Sequence, residues 1–238
     1  MVIATGRAFH SIPQHIWELE FIDYVITSNG AVTTRLEGKT HEIVDTSYIP
    51  EAAVESIVQI MRQSSLVMEI FTQGASYIGR KAFEEILEDK HLYRDKEYVR
   101  NTRKVTEDIF EFALQNKEHI ENISVTFPEA EQKSKVMEMF SEVEAVHLTS
   151  SFPYNVEIGN VTATKGEALK HLLAKFHLSA DNLMACGDSL NDFEMLKLAK
   201  VGVAMGNASE EIKAECKYIT ASNKEDGVAV AIEQVFKA

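Results

Sequence analysis

The stretch that most constrains this chain runs from Leu183 to Leu196: Leu-Met-Ala-Cys-Gly-Asp-Ser-Leu-Asn-Asp-Phe-Glu-Met-Leu. Leu183 to Cys186 is an apolar run of strand length, and Gly187 ends it. Phe193, Met195, Leu196 and Leu198 then supply the apolar side of a helix. A strand that stops at Gly187 delivers Asp188, Asn191 and Asp192 beyond its carboxyl end, where open parallel sheets bind ligands. Two carboxylates and an amide are hard oxygen donors of the kind Mg²⁺ takes. The same residue types also build ordinary turns and helix caps, so the stretch alone leaves both readings open.

Strand-helix alternation surrounds it. At the amino end Val2-Ile3-Ala4 reads as a strand with Thr5-Gly6-Arg7 at its carboxyl end. A helix is expected over 9–20, with Ile12, Ile16 and Leu19 on one face. A second strand, Tyr24 to Thr27, stops at the turn signal Ser28-Asn29-Gly30, and Ala31 to Thr34 starts a hairpin. After Gly159 the alternation resumes. Thr164-Lys165-Gly166-Glu167 has the form of a capping box, and Ala168, Leu169, Leu172, Leu173 and Phe176 form the face of the helix behind it. Lys165 therefore sits in a first helical turn, where unpaired backbone N–H groups already favour an anion.

Between these ends the pattern changes. A helix is expected over 50–62, with Ala53, Val54, Ile57, Val58 and Met61 as its stripe. Strands are expected over 66–71 and 75–78, a helix over 81–87, an irregular solvated segment over 91–101 and a helix over 105–115. A strand within 120–127, a helix opened by Pro128, and strands over 145–149 and 154–158 complete the region. Paired strands with interspersed helices define an α+β module. The fold class is α/β: a Rossmann-like parallel sheet from residues 1–45 and 157–238, interrupted by an α+β module at 46–156.

Composition limits the partners. The 238 residues carry a formal charge of −13, which argues against a nucleic-acid backbone as partner. The two cysteines, Cys186 and Cys216, lie far apart without metal spacing and point to a reducing cytoplasm. No apolar run reaches the ~18 residues of a membrane helix, and no secretory leader pattern opens the chain.

The whole string Gly187 to Leu196 resembles the fourth signature motif of the haloacid dehalogenase superfamily, in the Cof-type form G-D-x-x-N-D-x-x-M-L. Gly202-Val203-Ala204-Met205-Gly206-Asn207-Ala208 and Asp226-Gly227-Val228 continue the likeness. Ala4-Thr5-Gly6-Arg7 resembles the second motif, and Lys165-Gly166, 23 residues before Asp188, resembles the third. The resemblance implies a Mg²⁺-dependent phosphatase of small phosphomonoesters, sugar phosphates or nucleotide-like cofactors, working through an aspartyl-phosphate. It implies that Thr5, Gly6, Lys165 and Asn191 hold the phosphoryl group. Asp188, Asn191 and Asp192 would hold the metal, and Arg7 and Asn29 are candidate substrate contacts. The module at 46–156 resembles the large cap that covers the site and chooses the substrate. The expected partner is a small phosphorylated metabolite.

The family's first motif, Asp-x-Asp-Gly-Thr, is absent from the 238 residues. Its two aspartates are the nucleophile and the general acid-base. Asp23 and Asp45 lie outside any such pattern. A strand-helix unit of roughly 30 residues has no counterpart, so the chain reads as a truncated phosphatase, inactive as given. The alternative is a non-catalytic protein that binds phosphorylated ligands or partners. In the family the absent strand lies between those of Val2–Ala4 and Leu183–Cys186. A gap or rearranged pairing is therefore expected there, with self-association through exposed sheet edges.

Overall fold

The structure is a computed structural model and describes residues 1–38, 40–91 and 93–236. Its chain forms two compact units, Met1–Ala163 and Thr164–Ala238.

In the first unit β1 (Val2–Ala4) runs parallel to β2 (Tyr24–Thr27), and β3 (Val32–Glu37) and β4 (Thr40–Thr46) follow antiparallel, in the order β1-β2-β3-β4. All four residues of β2 are buried. The helix expected over 9–20 does not form. Two 3-10 turns, Phe9–Ser11 and Gln14–Glu18, stand in its place. The reason is Pro13: it has no N–H, and it forces Ile12 into an extended conformation with φ −74° and ψ 133°. The apolar spacing still serves the core, because Ile12 packs with Ile22 and Val25, and Ile16 and Leu19 pack against them.

The same unit holds a six-stranded sheet. In chain order its elements are α1 (Glu51–Met61), β5 (Val67–Thr72), β6 (Ala75–Gly79), α2 (Arg80–Leu87), α3 (Lys96–Thr102), β7 (Arg103–Thr106), α4 (Ile109–Gln115), β8 (Ile120–Thr126), α5 (Lys133–Met139), β9 (Val146–Thr149) and β10 (Asn155–Asn160). The strand order is β7-β6-β5-β8-β10-β9, antiparallel except for the β6-β7 pair. Strand alternation gives the sheet two unlike faces. Met68, Ile70, Ile123, Val125, Val156 and Ile158 join the α1 stripe of Ala53, Val54, Ile57, Val58 and Met61 in the largest core cluster. On the other face Glu69, Ser124 and Glu157 lie in cross-strand register.

Two segments differ from the sequence reading. The stretch 91–101 is not wholly irregular: α3 begins within it, because the Asp95 carboxylate accepts from the Tyr98 N–H. Leu92 lies outside the described residues. The segment expected as one helix over 105–115 opens with β7, and α4 starts only after Asp108, whose carboxylate caps the Phe110 and Glu111 N–H groups.

The second unit contains α6 (Lys165–Lys175), β11 (Met184–Gly187), α7 (Phe193–Leu198), β12 (Val201–Ala204), α8 (Glu210–Glu215), β13 (Tyr218–Ile219) and α9 (Gly227–Phe236). β11, β12 and β13 are parallel and adjacent in that order. The parallel pairs thus fall into three sheets, β1-β2, β6-β7 and β11-β12-β13, and among the described residues β1 and β11 are each a terminal strand with a single strand partner. Among the described residues no helix is long and apolar enough to cross a membrane.

Candidate functional site

In the second unit β11 delivers Gly187, and the loop after it turns on one side chain. The Asp192 carboxylate accepts from the Asp188 N–H at 3.0 Å and the Ser189 N–H at 3.1 Å through Oδ2. Its Oδ1 accepts from Lys165 Nζ at 2.6 Å. Both partners of that ion pair are more than nine-tenths buried, with side chains 6% and 8% exposed. Asp192 lies so close to the strand that a Cβ on Gly187 would fall 2.6 Å from the Asp192 Cβ. Gly166 has a similar role, since a Cβ there would meet the Glu194 Cβ at 2.9 Å. The capping box at 164–167 forms by half: Thr164 Oγ1 accepts from the Glu167 N–H, and the Glu167 carboxylate instead pairs with Lys170.

Lys165, Asp188, Asn191 and Asp192 are thus brought together at the carboxyl end of β11. Asp188 is half-buried. Its Oδ1 accepts from Ser189 Oγ at 3.2 Å and its Oδ2 from Asn207 Nδ2 at 2.6 Å. Asn207, beyond the end of β12, has no assigned role in the sequence reading. Its side-chain oxygen also accepts from the Asn223 N–H at 2.9 Å, so one amide fixes the Asp188 carboxylate and ties it to a neighbouring loop. Its position just past a parallel strand's carboxyl end is the signal that marks it.

The donors present match a hard cation in type, because Asp188 offers a carboxylate with further lone pairs. In number they are few, since Asp192 spends both oxygens on Lys165 and the loop amides. Among the described residues no three His, Cys, Asp or Glu side chains converge in a metal-sized group.

In the first unit Thr5, Gly6 and Arg7 leave β1 in a tight turn. Thr5 Oγ1 accepts from the Arg7 N–H at 3.1 Å, so that N–H is engaged within the turn. The carbonyls of Thr5 and Arg7 accept from the Asn29 and Ser28 N–H groups at 3.1 and 2.9 Å. The Arg7 guanidinium donates to the Ser11 carbonyl at 3.2 Å and lies 4.8 Å from the centre of the Tyr98 ring. Asn29 is 3% exposed, and its Nδ2 donates to Glu157 at 3.0 Å.

Sequence reasoning gave no role to the acidic groups of the six-stranded sheet. Glu121 is buried and accepts from Ser28 Oγ at 2.6 Å and the Gly74 N–H at 2.7 Å. Burial raises its pKa, and these two donors offset part of the rise. Glu69 has no exposed side chain and pairs with Arg94 and Arg103. Desolvation pushes it up, but the two guanidiniums more than compensate and hold it below the ordinary carboxylate range. For Glu69 the visible signal is a glutamate inside an otherwise apolar run, Val67-Met68-Glu69-Ile70-Phe71.

The profile of the haloacid dehalogenase-like hydrolases matches residues 1–232. Phosphatase YwpJ of Bacillus subtilis (strain 168) is 30% identical over 247 residues, which cover 96% of this chain and 85% of that protein. The 5-amino-6-(5-phospho-D-ribitylamino)uracil phosphatase YitU of the same organism is 26% identical over 243 residues, 98% of this chain and 84% of its own. A solved haloacid dehalogenase-like hydrolase from B. subtilis superposes with a TM-score of 0.79 at 28% identity, covering 96% of this chain and 85% of that one. The chain belongs to the haloacid dehalogenase superfamily, among its Cof-type phosphatases. Its class of chemistry is phosphate-ester hydrolysis.

Proposed function

We propose that this chain carries the phosphate-holding and metal-supporting part of a Mg²⁺-dependent phosphomonoesterase for small phosphorylated metabolites, sugar phosphates or nucleotide-like cofactors. The observation that carries the reading is the buried Lys165–Asp192 pair beside the Asp188 carboxylate at the end of a parallel strand. A buried ammonium fixed at one atom is a point charge aimed at an anion. Thr5, Gly6 and Lys165 would hold phosphoryl oxygens, with Asn191 in support. Asp188 would be the direct ligand of Mg²⁺, and Asn191 and Asp192 would orient it. When bound, the ion would draw charge from a phosphoryl oxygen. Residues 46–156 would act as the cap that selects the leaving group, over a core of 1–45 and 157–238. YitU, named for a ribitylamino-uracil phosphate, is consistent with a cofactor-like substrate.

A second reading has its own observation: the 238 residues contain no Asp-x-Asp-Gly-Thr. Phosphoryl transfer by this family's chemistry needs a carboxylate nucleophile, and no carboxylate among the described residues is assigned that place. On this reading the 238 residues bind phosphorylated ligands without turning them over. The test is p-nitrophenyl phosphate hydrolysis with and without Mg²⁺, run on residues 1–238 and on a version extended by the codons upstream of Met1. Magnesium-dependent release by the extended protein alone supports the enzyme reading. No release from either leaves the binding reading. Robust release from 1–238, abolished by Asp188→Ala, would refute the proposed inactivity and require another carboxylate in the nucleophile's place.

A further inference from the structure

Two consecutive non-glycine residues in left-handed backbone are uncommon, and here both are buried. Ser28 has φ 49° and Asn29 φ 63°, and Gly30 follows at φ 116°. L side chains resist this conformation, and serine is poorly suited to it. Such a turn persists when its surroundings over-determine it. They do so through two carboxylates of the six-stranded sheet. Glu121, on β8, accepts from Ser28 Oγ with one oxygen and from the Gly74 N–H with the other. Glu157, on β10, accepts from Asn29 Nδ2 with one oxygen and from Ser151 Oγ with the other, at 3.0 and 3.1 Å.

The turn in turn grips the loop after β1. The Ser28 N–H donates to the Arg7 carbonyl and the Asn29 N–H to the Thr5 carbonyl. Both carbonyls are thereby drawn toward the turn after β2, and the Thr5 hydroxyl proton, the Gly6 N–H and the further guanidinium N–H groups of Arg7 are the loop's donors without a partner among the described residues. An unbroken path of hydrogen bonds runs from two sheet carboxylates, through two side chains and two amides, to the Thr5 loop.

We infer that Glu121 and Glu157 are positioning residues that set the geometry of the Thr5–Arg7 loop through Ser28 and Asn29. This rests on the reading of Thr5 and Gly6 as phosphoryl holders. The six-stranded sheet then does more than cover a ligand: its docking on the Ser28–Gly30 turn assembles the anion-binding loop. A ligand that holds the sheet in place would tighten the grip on its own phosphoryl group.

The test uses the full chain. Amide hydrogen exchange is followed at Thr5–Arg7 and Ser28–Asn29, and inorganic phosphate binding is measured by calorimetry. Glu121→Ala and Glu157→Ala are each expected to speed exchange at Ser28 and Asn29 by about tenfold or more. Phosphate affinity should fall by about tenfold, because a displaced donor misses its oxygen. Glu121→Gln keeps an acceptor for Gly74 and a partner for Ser28, and is expected to restore both to within about threefold. Ile123→Val, in the apolar cluster that β8 shares with α1, serves as a destabilised control and should move neither. Unchanged exchange in both alanine variants, or equal acceleration in the Ile123→Val control, overturns the inference. Absence of phosphate binding in the unsubstituted protein counts against the anion-holding reading of Thr5, while exchange alone decides whether the relay exists.

Discussion

Replacing Asp192 by asparagine should be among the most disruptive single changes in the Thr164–Ala238 unit. The Lys165–Asp192 contact is 2.6 Å. At an effective dielectric of about 20 that separation gives a gross attraction of about 6 kcal/mol. Desolvating the two ions opposes it by several kcal/mol each, so the pair adds little relative to an apolar substitute. Removing one charge is different, because the other stays buried and unpaired. Asparagine also cannot satisfy its neighbours. Three donors face Asp192, namely Lys165 Nζ and the Asp188 and Ser189 N–H groups, and asparagine must turn an NH₂ toward some of them. The expected loss is about 3–5 kcal/mol, a large fraction of the roughly 5–15 kcal/mol that holds a domain together. Urea denaturation followed by circular dichroism measures it. The double variant Lys165→Met/Asp192→Leu leaves no buried charge and should recover most of that loss, yet bind no inorganic phosphate. A loss below about 1 kcal/mol for Asp192→Asn, or simple addition of two losses in the double variant, would show that the pair is not the buried, coupled unit described.

Four further substitutions have expected outcomes. Gly187→Ala places a methyl 2.6 Å from the Asp192 Cβ, so β11 and its loop must part; a destabilisation of about 1–3 kcal/mol with weaker phosphate binding is expected by denaturation and calorimetry. Glu121 and Glu69 should give opposite pH dependences. Glu121 is raised by burial, so its contribution is full below its unfolded value near 4.5 and is lost as pH rises through the folded value; Glu121→Gln should therefore gain on the parent protein in thermal melts as pH rises above that unfolded value. Glu69, held low by Arg103 and Arg94 against desolvation, contributes above its unfolded value near 4.5 and loses that contribution as pH falls; Glu69→Gln should show its largest deficit at neutral pH, shrinking toward acid. Asp108→Ala removes the acceptor for two α4 amides and should cost about 1 kcal/mol by the same melts.

The sequence by itself determined the β11-turn-α7 unit, the helix begun by Lys165 and the strand ahead of Thr5. Each is written in local patterns: an apolar run stopped by glycine, a threonine three residues before a glutamate, a strand length of hydrophobics. It also determined the chemistry of the cluster, since only oxygen donors and one ammonium fall at those positions. Where local signals competed, it misled. The spacing of Ile12, Ile16 and Leu19 is helical, but Pro13 breaks the ladder, and the three still pack as a cluster because burial depends on side chains more than on hydrogen-bond register.

Tertiary structure alone decided who pairs with whom. Nothing in the order of residues says that Asp192 takes Lys165 and the loop amides while Asp188 is left to Asn207. It likewise joined Ser28 to Glu121 and Asn29 to Glu157, across 93 and 128 residues. A buried carboxylate must find donors wherever the fold brings them, and that choice depends on strand order and register, which local sequence does not encode.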